Sequence, residues 1–237
     1  MKDTTPATAI LLFANAPHNE AQYKVMAAAQ GTTKNLQVAR VLLQHTEQVL
    51  AQSGLPVVKV FTAQQKGRTF GERLANAFQD GFAAGYQRII CVGSDCPTLT
   101  VQDILKAANV LEGHDMVIGP AADGGAYLIG MHISSFNPEA FSMLNWQTSK
   151  VLDELKLYAF RLHACLNSFV LLQDKADIDS AADLTLALQQ LPATHALRKK
   201  LLAILCKDTS RKHSFLHLLV KPFKLYLGQP LLRAPPL

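Results

Sequence analysis

Acidic residues stand in this sequence at places where they are costly. Asp95 lies in Gly93-Ser94-Asp95-Cys96-Pro97, directly after the apolar run 88–93. Asp123 lies in Gly119-Pro120-Ala121-Ala122-Asp123-Gly124-Gly125, after a second apolar run, 115–119. Asp177 and Asp179 flank Ile178, just ahead of a helical stretch that begins near Ser180. A carboxylate at the end of a buried strand costs several kcal/mol unless it faces a crevice, is paired or holds a metal. Oxygen donors of this kind suit Mg2+ or Mn2+, and an ion so held neutralises the charge of a diphosphate. Each turn also has a plainer reading. Asp95 caps a turn before Pro97, Asp123-Gly124 makes a type I′ hairpin turn, and Asp179 caps the helix after it. Three acidic turns at three strand ends weigh more than any one of them.

The elements that must position these turns follow from periodicity. Short apolar runs at 9–14, 57–61, 88–93, 115–119, 127–131 and 169–172 read as strands. Between them, 36–52, 69–84, 101–111, 148–157 and 181–190 carry helical spacing, and 136–141 reads as a helical turn. Thr69 with Glu72 forms a capping-box pattern, and Thr100 caps the next helix. The stretch 15–34 reads as polar and irregular. Strands alternating with helices predict an α/β fold: a Rossmann-like, mostly parallel central sheet with helices on both faces. Such sheets bind ligands beyond the carboxyl ends of their strands, which is where the acidic turns fall.

Bulk composition bounds the class. The chain has 237 residues, 49% hydrophobic and 17% charged, enough to fill a core and too apolar for disorder. Residues 193–237 hold nine Lys or Arg against one acid, a net +8 of the total +5, so residues 1–192 carry −3. The basic character belongs to the tail, and no nucleic-acid surface is expected on the main body. Four cysteines, Cys91, Cys96, Cys165 and Cys206, show no C-x-x-C pair, so reduced structural thiols and no zinc site are expected. No apolar run spans a bilayer, and the first residues lack a signal-peptide pattern, which makes the cytoplasm the expected location.

Several motifs in fixed order carry a family resemblance. LLFANAP (11–17), FGERLANAF (70–78), GSDCPTL (93–99), GPAADGGAYLIGM (119–131), the step Trp146-Gln147-Thr148 and DIDSAADL (177–184) together resemble the glycosyltransferase A-like proteins of the nucleotide-diphospho-sugar transferase superfamily. Within it, the likeness is to the radical-SAM/selenodomain-associated, arsenosugar-biosynthesis-type transferases, over about residues 9–190. The resemblance implies a GT-A domain over 1–192 and an appended 193–237 segment. It implies a metal-dependent transfer from a nucleotide-sugar, or a nucleotide, to a small-molecule acceptor. Asp95 and Asp123 are the implied catalytic acids, and Asp95, Asp177 and Asp179 the ligands of a divalent Mg2+ or Mn2+. Ala14, Lys24, Gly71, Arg73, Ser94, Gly124, Gly125 and Trp146 are the implied nucleotide and substrate contacts. For Trp146, a core role weighs as much as a pocket wall.

One loop departs from the pattern. The family's first loop usually reads like ARAPVPGRVKTRL, with basic residues on the nucleotide phosphates. Here it is Ala14-Asn15-Ala16-Pro17-His18-Asn19-Glu20-Ala21-Gln22-Tyr23-Lys24-Val25-Met26-Ala27. Only Lys24 of the basic set remains in register; Asn15 and Met26 stand where arginines are usual, and Ala126 stands for a usual tyrosine. Each lost charged hydrogen bond weakens diphosphate binding by about 1.5–3 kcal/mol. Three readings follow: glycosyl transfer, nucleotidyl transfer to a phosphorylated small molecule, or a catalytically weakened nucleotide-binding or regulatory protein. The tail, with Leu197, Leu201, Ile204 and Leu205 beside Arg198, Lys199 and Lys200, reads either as a helix packed on the body or as a basic amphipathic segment for an anionic membrane or a partner protein. A homodimer is left open.

Overall fold

The computed structural model describes residues 7–27, 31–163 and 169–206. The strands are β1 (Thr8–Ala14), β2 (Val57–Phe61), β3 (Arg88–Val92), β4 (Met116–Pro120), β5 (Ala126–His132) and β6 (Phe169–Leu171). They form one six-stranded sheet in the order β2-β1-β3-β5-β4-β6. β1 pairs in parallel with β2 and β3, and β4 with β6, while β5 runs antiparallel to both β3 and β4. The sheet is thus mostly parallel, with one reversed strand that returns directly from the Asp123 turn.

The helices are α1 (Pro17–Tyr23), α2 (Thr32–Gln52), α3 (Phe70–Ala83), α4 (Val101–Val110), α5 (Pro138–Ser142), α6 (Val151–His163), α7 (Ala181–Gln190) and α8 (Ala196–Leu205). Alternate strand residues face opposite sides, so the sheet is buried twice. Leu11, Phe13, Ile89, Cys91, Ile118 and Ile129 pack under α3, α5 and α6. Ile10, Leu12, Ile90, Val92, Val117 and Leu128 pack under α2 and α4. A third cluster joins α2 and α7 to α8, whose Leu197, Leu201 and Leu205 are buried while Lys199 and Lys200 stay exposed. The helix of the basic segment therefore lies against α2, the packed arrangement of the two considered. The residues from 207 on, which carry the rest of that segment, lie outside the described residues, as does Cys165. Among the described residues no helix is long and apolar enough to cross a membrane.

Differences from the sequence expectations have local causes. The stretch 15–34 is not irregular: Pro17 sits in the first turn of α1, where its fixed φ and missing N–H are tolerated, and α2 begins at Thr32. The helical turn expected at 136–141 is α5, shifted to Pro138–Ser142, and a separate 3-10 turn at Ile133–Ser135 precedes it. The helix expected from 148 starts at Val151. Three helices open with capping boxes, Thr69 with Glu72, Thr100 with Asp103, and Ser180 with Asp183. Each such cap contributes about 1 kcal/mol and fixes where the preceding turn ends.

Candidate functional site

The carboxyl ends of β1, β2, β3, β4 and β6 all open on one rim, and a cavity of about 1100 Å3 lies there. Asp95, Asp123, Asp177 and Asp179 line it together, from turns after three different strands. Backbone hydrogen bonds stitch these turns to one another. The Ile178 amide donates to the Asp95 carbonyl at 2.9 Å, and the Ala122 amide to the Lys175 carbonyl at 2.9 Å. Lys175 then reaches back, donating to the Thr98 carbonyl at 2.9 Å and pairing with Asp103 at 3.1 Å. Tyr127 completes the knit by donating to the Gln173 carbonyl at 3.1 Å. Main-chain bonds thus hold the sequence-distant acidic turns in register.

At the centre of the acids stands Lys24. Its Nζ lies 2.9 Å from Glu20, 2.5 Å from Asp95 and 2.8 Å from Asp179, and the side chain is only 19% exposed. Burial alone would lower the pKa of this ammonium, but Asp95, Glu20 and Asp179 outweigh it and hold the pKa above the ordinary lysine value. The backbone around it is clamped. Lys24 ends α1, its carbonyl accepts from Asn35 Nδ2 at 2.6 Å, and Val25 bridges Ser180. Buried Asn35 also accepts from the Met26 and Ala27 amides. At Asp177, burial, then the charges of Asp95, Asp123 and Asp179, push the carboxyl up to about 8.

The other sequence-predicted residues are placed as follows. Ala14, Ser94, Arg73, Gly125 and Trp146 line the cavity. The Ala14 carbonyl is taken by Gln65 Nε2 at 3.1 Å, and Arg73 Nε donates to the Gly67 carbonyl at 3.1 Å. Trp146 serves both readings: it walls the cavity and packs on the core, with its ring 4.9 Å from Phe141 and its Nε1 donating to the Phe141 carbonyl. Gly71 and Gly124 stand behind the wall rather than on it. A Cβ on Gly71 would meet the Ser142 carbonyl oxygen at 2.1 Å, and one on Gly124 the Ser149 carbonyl oxygen at 2.1 Å.

Two turn readings are corrected. A type I′ turn needs positive φ at both central residues, and of Asp123 and Gly124 only Gly124 has it, at 90°. Asp123 instead accepts from the Gly125 amide at 2.8 Å. The α7 cap is Ser180 with Asp183, so Asp179 is not a cap and its carboxylate is left for Lys24. Cys96 is a buried filler: burial, then the nearby Asp177 and Asp95 charges, push its thiol up to about 12, so its surroundings disfavour the thiolate.

Several lining residues escaped the sequence reading. Glu20, nearly buried, pairs with Lys24 one helical turn on and accepts from Asn15 Nδ2 at 2.8 Å. The i,i+4 spacing of Glu20 and Lys24 was the available signal, hidden by the missed helix α1. Thr62 donates to Asn15 Oδ1 at 3.2 Å, so Asn15 is engaged in this network. Gln147, on the cavity wall, has φ 61°, which non-glycine residues rarely adopt.

The residues fit a hard divalent ion by chemistry: four carboxylates supply oxygen donors, and Asp177 Oδ1 is buried without a hydrogen-bond partner. Their arrangement, however, is built round an ammonium. Among the described residues no group of three or more Asp, Glu, His or Cys is set to hold a metal ion.

Residues 25–148 match the family model described as "Uncharacterized protein conserved in bacteria (DUF2064)". Among curated proteins none matches the chain. A solved structure from Desulfovibrio desulfuricans G20, named provisionally as a nucleotide-diphospho-sugar transferase, is 26% identical over 88% of this chain and 98% of its own, with a TM-score of 0.75. It shares the mixed α/β architecture described above. Weaker likenesses extend to Rv0371c of Mycobacterium tuberculosis H37Rv in complex with manganese (13% identity, 78% of this chain and 100% of that one, TM-score 0.43). A glycosyltransferase involved in glycosylation of the major capsid of PBCV-1 gives 10% identity, 70% and 82% coverage and a TM-score of 0.42. Neither of the last two is close enough to argue from.

Proposed function

The chain belongs to the DUF2064 family, and we propose that it is a transferase that moves a glycosyl group from a nucleotide-sugar to a small hydroxyl-bearing acceptor. One observation carries the proposal: Asp95, Asp123, Asp177 and Asp179 converge with Lys24 on a single large cavity at the carboxyl rim of the sheet. The solved relative at 26% identity, itself named provisionally as a nucleotide-diphospho-sugar transferase, supports it. The ordered motifs of residues 9–190 support a closer kinship with the arsenosugar-biosynthesis-type transferases.

In this reading the reaction forms a bond between the acceptor oxygen and the anomeric carbon, breaks the bond from that carbon to the diphosphate, and leaves one proton to be taken up. Asp123 receives that proton. Its Oδ1 is anchored by the Gly125 amide, which orients the carboxylate on the exposed side of the cavity. Trp146 supplies an apolar face for a sugar or acceptor ring. Lys24 and Arg73 offer cations to the phosphates. Asp95, Asp177 and Asp179 would hold a divalent Mg2+ or Mn2+, which when bound would neutralise charge on the departing diphosphate.

A second reading has its own observation. Asn15 is tied to Glu20 and Thr62, and Lys24 to three carboxylates, so two positions of the first loop face protein rather than phosphate. That favours a nucleotide-binding protein with weakened catalysis. Calorimetric titration with UDP-, GDP- and CDP-sugars in Mn2+, followed by nucleoside diphosphate release with small hydroxyl acceptors, separates the two. Binding and turnover that are lost in Asp95→Asn support transfer; binding without turnover supports the second reading, and an unaffected Asp95→Asn removes the metal role.

A further inference from the structure

Lys24 is the feature that transferase chemistry alone does not explain. An ammonium bonded to Glu20, Asp95 and Asp179 at 2.5–2.9 Å occupies the middle of the oxygen cluster. The ammonium takes one oxygen from each carboxylate, Asp95 Oδ2 and Asp179 Oδ1, and a divalent ion drawing on the same two acids meets its positive charge at short range. The two compete for the same pair of acids. The main chain of Lys24 is fixed by Asn35 and by the bridge from Val25 to Ser180, so only the four-carbon side chain is free to move.

We propose that Lys24 is an internal competitor for the cation position, which a divalent ion must displace and from which an incoming diphosphate draws the ammonium away. This inference rests on the transferase reading for the identity of the metal-binding acids and goes beyond it in assigning an order. Without phosphates, the displaced ammonium would leave three ion-pair contacts for solvent. With a diphosphate in the cavity it exchanges carboxylate oxygens for phosphate oxygens and keeps charge-assisted hydrogen bonds throughout. The metal therefore enters with the donor rather than before it. Asp177, whose Oδ1 is buried and unpartnered, is the acid that Lys24 leaves for the incoming ion.

The test is Mn2+ binding by the full chain, read from the electron paramagnetic resonance signal of free Mn2+, with no nucleotide present. Lys24→Gln removes the competitor. It is expected to bind Mn2+ about tenfold or more tighter than the parent chain, the scale set by one charge-assisted contact. Lys66→Gln makes the same charge change at an exposed pair with Asp80 and is expected to bind as the parent does. A second measurement needs no variant. Acylation of Lys24 in the parent protein, followed by mass spectrometry, is expected to be slow without added ions and to accelerate in saturating Mn2+. Equal Mn2+ affinity in Lys24→Gln and the parent, or no change in Lys24 acylation on saturation, overturns the competition while leaving the metal site standing. Absence of Mn2+ binding in both proteins overturns the metal site and the inference with it.

Discussion

Gly71→Ala tests whether the cavity wall is set by packing behind it. Gly71 occupies the first turn of α3 at an ordinary helical φ, so alanine by itself would favour the helix by up to about 1 kcal/mol. The space says otherwise. An added Cβ would lie 2.1 Å from the Ser142 carbonyl oxygen, 2.6 Å from Trp146 Cδ1 and 2.9 Å from Trp146 Nε1. The first of these is backbone and cannot swing aside, so α5 and the Trp146 ring must move. Overpacking of this kind costs about 1–3 kcal/mol. Loss of the bond from Trp146 Nε1 to the Phe141 carbonyl, 2.9 Å long, adds about 1 kcal/mol. Set against the helix gain, the net is a destabilisation of about 2 kcal/mol, or roughly 4–8 °C in melting temperature for a domain of this size. The chain has a single tryptophan, so intrinsic fluorescence reports this ring alone. Urea melts should show the loss in stability, and native emission should shift red as Trp146 is pushed toward solvent. A variant as stable as the parent, with unchanged emission, would refute the argument that Gly71 exists to seat Trp146.

Two further outcomes follow from the helix ends. Ser180→Ala removes the cap of α7 and half of its box with Asp183, so stability should fall by about 1 kcal/mol in urea melts, with Ser180→Ala and Asp183→Ala together costing less than the sum because they share one motif. His45, on α2, is held below its ordinary pKa by burial, then by His195 and Lys200, while a ring N–H donates to the Pro97 carbonyl. A lowered histidine pKa means the unfolded chain binds the proton more readily. The associated stability is complete above the ordinary histidine value of about 6.5 and is lost as pH falls below it. Thermal melts at pH 5.5 and 7.5 should therefore differ more in the parent than in His45→Gln; equal differences would remove the assignment.

The fold was legible because it is written in period and punctuation. Alternation in β1 and β3 sends neighbouring residues to the two helical layers, and the boxes at Thr69 and Thr100 begin their helices where the sequence places them. Two features were not legible. The hairpin reading at Asp123-Gly124 already reverses β5 against β4, but the insertion of β5 between β3 and β4 is a long-range choice that its apolar run does not encode. Helix α1 is seven residues of mostly polar side chains, below the length at which amphipathic spacing speaks, and it is tied from outside by Asn35, whose Nδ2 donates to the Ala21 and Lys24 carbonyls.

That one short helix explains why the site was read in pieces. Strand-end logic located Asp95, Asp123, Asp177 and Asp179, because a carboxylate after a buried strand needs a partner. The same logic is silent about which partner. Reading 15–34 as loop leaves Lys24 as a remnant of a phosphate-binding pattern and Glu20 as a departure in that loop with no role. Once Pro17 starts a helix, Glu20 and Lys24 fall on one face a turn apart, and the end of that helix points its lysine at the rim where the acids gather. The charge balance then changes meaning. Four acids line one cavity, and the chain sets its own ammonium against two of them, so under the competition proposed above a divalent ion would gain Asp95 and Asp179 only against Lys24. Its affinity would then reflect what the ammonium gives up as well as what the carboxylates offer.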